Sequence, residues 1–282
     1  MSSTIEQLLK LQEMLQQGLL TAAEFESQKR KLLEAEAPSK LTVGQHFREY
    51  YIESKIGEGG MGAVYKVRHR TSFEAQGHRA LKVIKPDLLA NPSFRARFVA
   101  EASKGMRLNH PNVARVFDLY EEDNGLYILM EFIDGPSLSE FSAVPLEQVL
   151  RWLQPLCETL DHLHRQGIVH RDIKPDNIRL HPARGPVLLD FGIAKDLSLD
   201  LTQSTVMMGT PLYMAPEQLL SAKPAVGPSN DVWALGVLLF EAATGQHPYA
   251  DEGLLALLDE GFDARGLARD VYSFATVITG LA

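Results

Sequence analysis

A chain of 282 residues is long enough for one large domain, or two lobes with a sizeable core, plus a small appendage. Its 45% hydrophobic and 23% charged residues are those of an ordinary globular protein. The formal net charge of −8 argues against a nucleic acid as the main partner, because a phosphate backbone needs a basic face.

The single cysteine, Cys157, excludes an intrachain disulfide and fits a reducing compartment. The opening MSSTIEQLLK has neither a basic start nor an unbroken apolar core, so no secretory signal is expected. No run approaches the roughly 18–20 apolar residues of a membrane span. Val232 to Phe240 comes nearest and stops at Glu241. A soluble, cytoplasmic chain without a membrane segment is the expectation.

Residues 1–36 read as a separate helical hairpin. Ile5, Leu8, Leu9 and Leu15 recur at helical spacing, and Gly18 stops the first helix. Thr21-Ala22-Ala23-Glu24 is a capping-box pattern that starts a second helix, with Phe25, Leu32 and Leu33 on its apolar face. Such a hairpin is too small to bury a core alone. It resembles the SHOCT module, which implies a small piece for self-association or partner docking. A helical extension of the main domain is the plainer alternative. Residues 37–46, with Ala37-Pro38-Ser39-Lys40, read as a linker.

Strands are predicted at residues 50–56, 63–68, 79–84, 113–120 and 126–132, where β-branched and aromatic residues gather. A helix is predicted over 92–108. Beyond Ser137 the pattern is mostly helical, with a strand near 187–189. A β-rich first part and an α-rich second part predict an α+β fold of two lobes with a cleft between them.

Gly57-Glu58-Gly59-Gly60-Met61-Gly62-Ala63-Val64 fits G-x-G-x-x-G-x-V between two predicted strands. Missing side chains let such a backbone close over phosphates with its N–H groups facing them. A glycine-rich hairpin can also be only a turn. A dinucleotide-binding loop would lead into a helix, and here a strand follows. Lys82 alternates with Leu81 and Val83, so it shares a strand face with Ala80 and Ile84. A lysine in that apolar setting is costly without a partner, and Glu101 in the following helix is the candidate.

The run His170-Arg171-Asp172-Ile173-Lys174-Pro175-Asp176-Asn177, followed by Asp190-Phe191-Gly192, places two carboxylates, an amide and a lysine at the spacing of a phosphoryl-transfer site. One carboxylate can orient a hydroxyl. The other, with the amide, can hold magnesium on nucleotide phosphates.

With Ala215-Pro216-Glu217, these motifs stand in an order that resembles the eukaryotic-type protein kinases, especially the bacterial serine/threonine kinases, over about residues 47–250. The resemblance implies a β-rich N-lobe, about 47–132, over an α-rich C-lobe, about 137–282, within a kinase domain of 47–282. It implies ATP and Mg²⁺ as cofactors and protein substrates as partners. By the same resemblance Asp172 orients the substrate hydroxyl and Lys174 neutralises the transferring phosphoryl. Asn177 and Asp190 hold the metal. Ile56, Gly57, Gly59, Gly60, Gly62 and Val64 cover the nucleotide with Ala80, while Lys82 and Glu101 aim at its phosphates. Met130 is the gatekeeper, and Glu131 and Ile133 offer backbone groups to adenine.

Arg179 falls where an aliphatic side chain is usual; its stem is expected to pack there with the guanidinium reaching water. Arg171 implies control by phosphorylation of Thr202, Ser204 or Thr205, and Thr210 a contact to the catalytic Asp and Lys. Asp231 is expected to brace the catalytic loop, with a helix N-cap as its simpler role. Glu217 calls for an arginine partner, and neither Arg265 nor Arg269 stands in a matching context. Because the pattern fades after Tyr249, a shortened or diverged C-lobe is expected. The leading function is ATP-dependent Ser/Thr phosphorylation. A nucleotide-binding, pseudokinase-like scaffold and a small-molecule phosphotransferase are the alternatives.

Overall fold

The structure is a computed structural model that describes residues 10–15, 19–21, 24–26, 28–29, 41–71, 77–122, 124–190, 211–215, 218 and 227–248. The strands are β1 (His46–Phe47), β2 (Tyr50–Glu58), β3 (Gly62–His69), β4 (His78–Ile84), β5 (Val116–Glu122), β6 (Gly125–Glu131), β7 (Ile178–His181) and β8 (Gly185–Leu188). Helices include α1 (Pro86–Leu89), α2 (Pro92–Gly105), α3 (Leu146–Arg165) and α4 (Pro228–Thr244), and residues 10–15, 24–26 and 28–29 are also helical. Short 3-10 turns lie at Leu138–Glu140, Pro175–Asn177 and Pro211–Tyr213. Two compact units emerge, residues 1–95 with 118–129, and residues 96–117 with 130–282, so the division falls within α2.

In the first unit the expected capping box is made. Glu24 N–H donates to Thr21 Oγ1 at 3.2 Å, and the Glu24 carboxylate accepts Thr21 N–H at 2.9 Å. The Thr21 N–H and the Thr21 hydroxyl, which donates to the same Glu24 oxygen at 2.7 Å, pull the Glu24 carboxyl below its ordinary range. Most of the remaining hairpin residues fall outside the described set.

The sheet of this unit runs β1-β2-β3-β4-β6-β5. Antiparallel register sets Ile52 directly across from Val67, both fully buried, and alternation brings Leu81 to the same face. Phe47 packs on Tyr127 at 4.5 Å and Tyr120 at 5.8 Å between ring centroids. The Arg48 guanidinium lies 4.3 Å from the Tyr120 centroid. Asn91 starts α2 by accepting Ser93 N–H at 2.9 Å and Phe94 N–H at 3.2 Å, with Pro92 as the first helical residue.

The second unit is built on α3 and α4. In α3, Val149, Trp152, Leu153, Leu156, Leu160 and Leu163 recur at three- and four-residue steps, which puts them on one face. They meet Leu235, Leu238 and Leu239 of α4, and Ile173, Ile178 and Leu188 close the cluster. Each fully buried leucine stabilises the fold by about 1.5–3 kcal/mol. The predicted strand at 113–120 begins later, at Val116, because the preceding backbone turns to β8: Ala114 N–H donates to Leu188 O at 2.8 Å and Leu188 N–H to Asn112 O at 2.9 Å. The four-residue β7 was not foreseen; it pairs antiparallel with β8.

Cys157 packs half-buried against this core, and burial pushes its thiol pKa up. The folded protein is expected to react with a disulfide reagent at least about tenfold more slowly than the urea-unfolded chain. Timed thiol titration in both states reads the difference. Among the described residues no helix is long and apolar enough to cross a membrane.

Candidate active site

The catalytic run hangs on one buried carboxylate. Asp231, 1% exposed, accepts Arg171 N–H on Oδ1 at 2.7 Å. Its Oδ2 accepts His170 N–H and His164 Nε2–H, each at 2.8 Å. The helix-cap reading is corrected: α4 opens at Pro228 from Gly227, whose N–H donates to Asn230 Oδ1 at 2.7 Å. Asp231 is the fourth helical residue, inside the first turn, where the helix dipole favours a negative charge.

His170 is fully buried and links two segments. Its Nδ1 accepts Asp172 N–H at 3.3 Å, which puts the ring proton on Nε2, facing Leu189 O at 2.9 Å. Asn177 Nδ2 donates to Asp172 O at 2.8 Å and to Asp172 Oδ2 at 2.7 Å. Lys174 Nζ stands 3.6 Å from that same Oδ2. Leu189 N–H donates to Asn177 O at 2.8 Å, so Asp190 follows directly on a residue bonded to Asn177. Arg171 and Asp190 have left-handed φ values of 66° and 40°. Such strain in non-glycine residues clusters at functional sites.

The donors suit a hard cation. Engagement of the Asn177 amide nitrogen leaves its Oδ1 as the end that would meet a metal, and Asp190 follows directly on Leu189, whose N–H is bonded to Asn177 O. Magnesium takes one or two such oxygens and completes its shell with phosphate and water. Among the described residues no group of three or more His, Cys, Asp or Glu forms a protein-only metal cage.

In the same unit Met130 and Ile133 are buried, and Ile133 packs with Ala114 and Val187. Glu131 N–H donates to Arg115 O at 2.8 Å. With that N–H engaged, the carbonyl is the backbone group of Glu131 left for the expected contact with adenine. Arg179 gains a backbone partner. The residue is half-buried, and its Nη1 donates to Gly135 O at 3.1 Å. Tyr213 donates its hydroxyl to Glu241, tying the 3-10 turn at Pro211–Tyr213 to α4; burial, then that bond, raises the phenol pKa far above its ordinary value.

The glycine loop belongs to the first unit. Gly59 N–H donates to Gly62 O at 2.8 Å and Lys85 N–H to Met61 O at 2.9 Å, closing the β2–β3 turn. The Gly59 N–H is thereby turned inward, not left to face a phosphate. Around Gly57 and Gly59 nothing lies within 4 Å of where a Cβ would stand. At Gly62 a Cβ would sit 1.8 Å from Val83 O, so this glycine is needed for contact with β4. Gly62→Ala is expected to destabilise the protein by about 3 kcal/mol, and a urea denaturation curve reads it. Register places Val64 opposite Lys82, on the face shared by buried Ala80 and Ile84. Lys82 is half-buried and Ile56 exposed.

Residues 50–264 match the profile of the protein kinase domain. The chain belongs to the protein kinase family. The kinase match extends past residue 250, where motif reading stopped. Residues 6–33 match the SHOCT profile, the short C-terminal domain. The serine/threonine-protein kinase Pkn1 of Myxococcus xanthus is 39% identical over 235 residues, covering 80% of this chain and 33% of that protein. The serine/threonine-protein kinase PknA of Mycobacterium tuberculosis is 37% identical over 219 residues, covering 74% and 49%. The chain thus spans about a third to a half of the length of these curated relatives. The crystal structure of the Mycobacterium tuberculosis PknI kinase domain aligns with a TM-score of 0.60 at 32% identity, over 74% of this chain and 77% of that one. PpkA in its apo form aligns at 0.62 and 29%, over 75% and 81%.

Within this kinase fold the second unit brings together Asp172, Lys174, Asn177 and Asp231, with Asp190 one residue past the Leu189 link. Phe191, Gly192, Thr202, Ser204, Thr205, Thr210, Glu217, Arg265 and Arg269 lie outside the described residues, as does the side chain of Glu101. Sequence reasoning missed His164, Asn112 and Arg184. Each works through partners dozens of residues away, and no local spacing announces them.

Proposed function

We propose that this chain is an ATP- and magnesium-dependent serine/threonine protein kinase. The observation that carries the reading is the clamped Asp172. Asn177 and Lys174 fix its Oδ2 while Asp231 holds the loop beneath it. In this reading the Asp172 carboxylate accepts the proton of a serine or threonine hydroxyl, and the Lys174 ammonium faces the transferring phosphoryl. Asn177 and Asp190 hold magnesium, which when bound offsets charge on phosphate oxygens. Lys82 and Glu101 align the phosphates, and Thr210 completes the acceptor side.

The scaffold reading loses ground because every catalytic position among the described residues is filled. Incubation with radiolabelled Mg-ATP and a generic protein substrate tests the proposal, with Asp172→Ala as the control. Label on protein hydroxyls that vanishes in the control supports it. ATP binding without transfer by the wild type sinks it in favour of the scaffold.

Two finer readings belong with it. Autophosphorylation at Thr202, Ser204 or Thr205 would pair with Arg171 and order the activation segment; phosphosite mapping of active protein tests this, and a bare segment overturns it. The 1–36 hairpin, ahead of the 37–46 linker and the 47–282 kinase domain, would serve self-association or docking, which gel filtration with and without the hairpin tests. The single cysteine favours a reducing, cytoplasmic setting.

A further inference from the structure

The turn between β7 and β8 carries Arg184, which no catalytic motif includes. Its Nη2 donates to Glu131 Oε1 at 2.8 Å, and its Nη1 to Pro111 O at 3.2 Å. Both side chains of the Arg184–Glu131 ion pair are 26% exposed, so the pair is largely withdrawn from solvent. The other carboxylate oxygen of Glu131 accepts Arg115 N–H at 3.3 Å. Glu131 N–H returns the contact to Arg115 O. Asn112 Nδ2 fixes the turn itself, donating to Arg184 O at 2.8 Å and Pro186 O at 2.7 Å.

These bonds form a closed frame around one residue. Glu131 is gripped at its N–H and at both carboxylate oxygens, which leaves its carbonyl pointing in one fixed direction. A planar guanidinium fork sets geometry as well as charge. Resting on the reading above that the Glu131 carbonyl meets adenine, we propose that Arg184 is a positioning residue for the base. It holds the Glu131 peptide so that adenine, which presents an amine donor, is accepted. Guanine, which presents a carbonyl there, is rejected because it leaves polar groups unpaired.

The test uses the full chain and a ribose-labelled fluorescent ATP, with unlabelled ATP and GTP as competitors. Arg184→Met keeps the stem and removes the fork. It is expected to weaken ATP about fivefold and to narrow the preference for ATP over GTP. The turnover number at saturating ATP should fall less than about twofold. Glu131→Gln, which keeps the shape and removes the ion pair, should give the same shift, and the double variant should be no worse than either single one. A structural role alone would lower the melting temperature and leave the ATP-to-GTP ratio where it was. If either folded variant binds both nucleotides as the wild type does, the positioning role is wrong. If the wild type itself fails to bind the probe, the kinase reading falls, and this inference with it.

Discussion

Asp172→Asn is expected to lower kcat about a thousandfold while nucleotide affinity stays within about threefold of wild type. The physical difference between the two side chains is small and well placed. Asparagine keeps the length, the volume and one acceptor oxygen, so Asn177 Nδ2 can still donate to position 172 and to its backbone carbonyl. Removed are the negative charge, to which Lys174 stands at 3.6 Å, and the basicity that accepts a hydroxyl proton. Both losses act on the step in which the acceptor hydroxyl attacks, not on ground-state binding of ATP. Single-turnover phosphorylation beside equilibrium binding of the fluorescent nucleotide separates them. A variant whose kcat stays within tenfold (about 1.4 kcal/mol in barrier height) would mean that Asp172 is not the base.

The same loop shows how far sequence can be read. Asp172, Lys174 and Asn177 sit within one eight-residue run, so spacing alone announces their chemistry. The strands were visible because valine, isoleucine and tyrosine alternate along them; β3 extends one residue beyond the predicted limits at each end, and β4 one residue at its start only. The four-residue β7 carries too few residues for a period, and its pairing depends on β8 beyond a turn. Gly62 was legible as a loop glycine, but not its reason. The constraint comes from Val83 on the neighbouring strand, a contact that exists only after the sheet has formed. Arg184 and Glu131 are 53 residues apart and Asp231 is 60 from Arg171. Bonds at that range belong to the fold: nothing local announced Arg184, and the Asp231 brace was expected only through the family resemblance.

Asp231→Ala is expected to destabilise the protein by about 3–5 kcal/mol and to lower kcat at least about a hundredfold. The carboxylate is buried, and it satisfies two backbone N–H groups and the His164 ring at once. Alanine leaves those donors without their acceptor in a place water does not readily reach, at about 1–3 kcal/mol for each group so stranded. The loop then loses the anchor that sets His170 and, through its ring, the backbone of Asp172. Asp231→Asn sharpens the case. Both oxygens of Asp231 accept, Oδ1 from Arg171 and Oδ2 from His170 and His164, so an amide can satisfy one side only and must turn its NH₂ toward donors on the other. The asparagine variant should therefore fall close to alanine in both urea midpoint and kcat, despite its near-identical shape. A general loss of packing predicts the reverse, with asparagine close to wild type. Should Asp231→Asn keep wild-type stability and turnover, the two-sided acceptor role would be refuted, and Asp231 would be filling space beneath the loop.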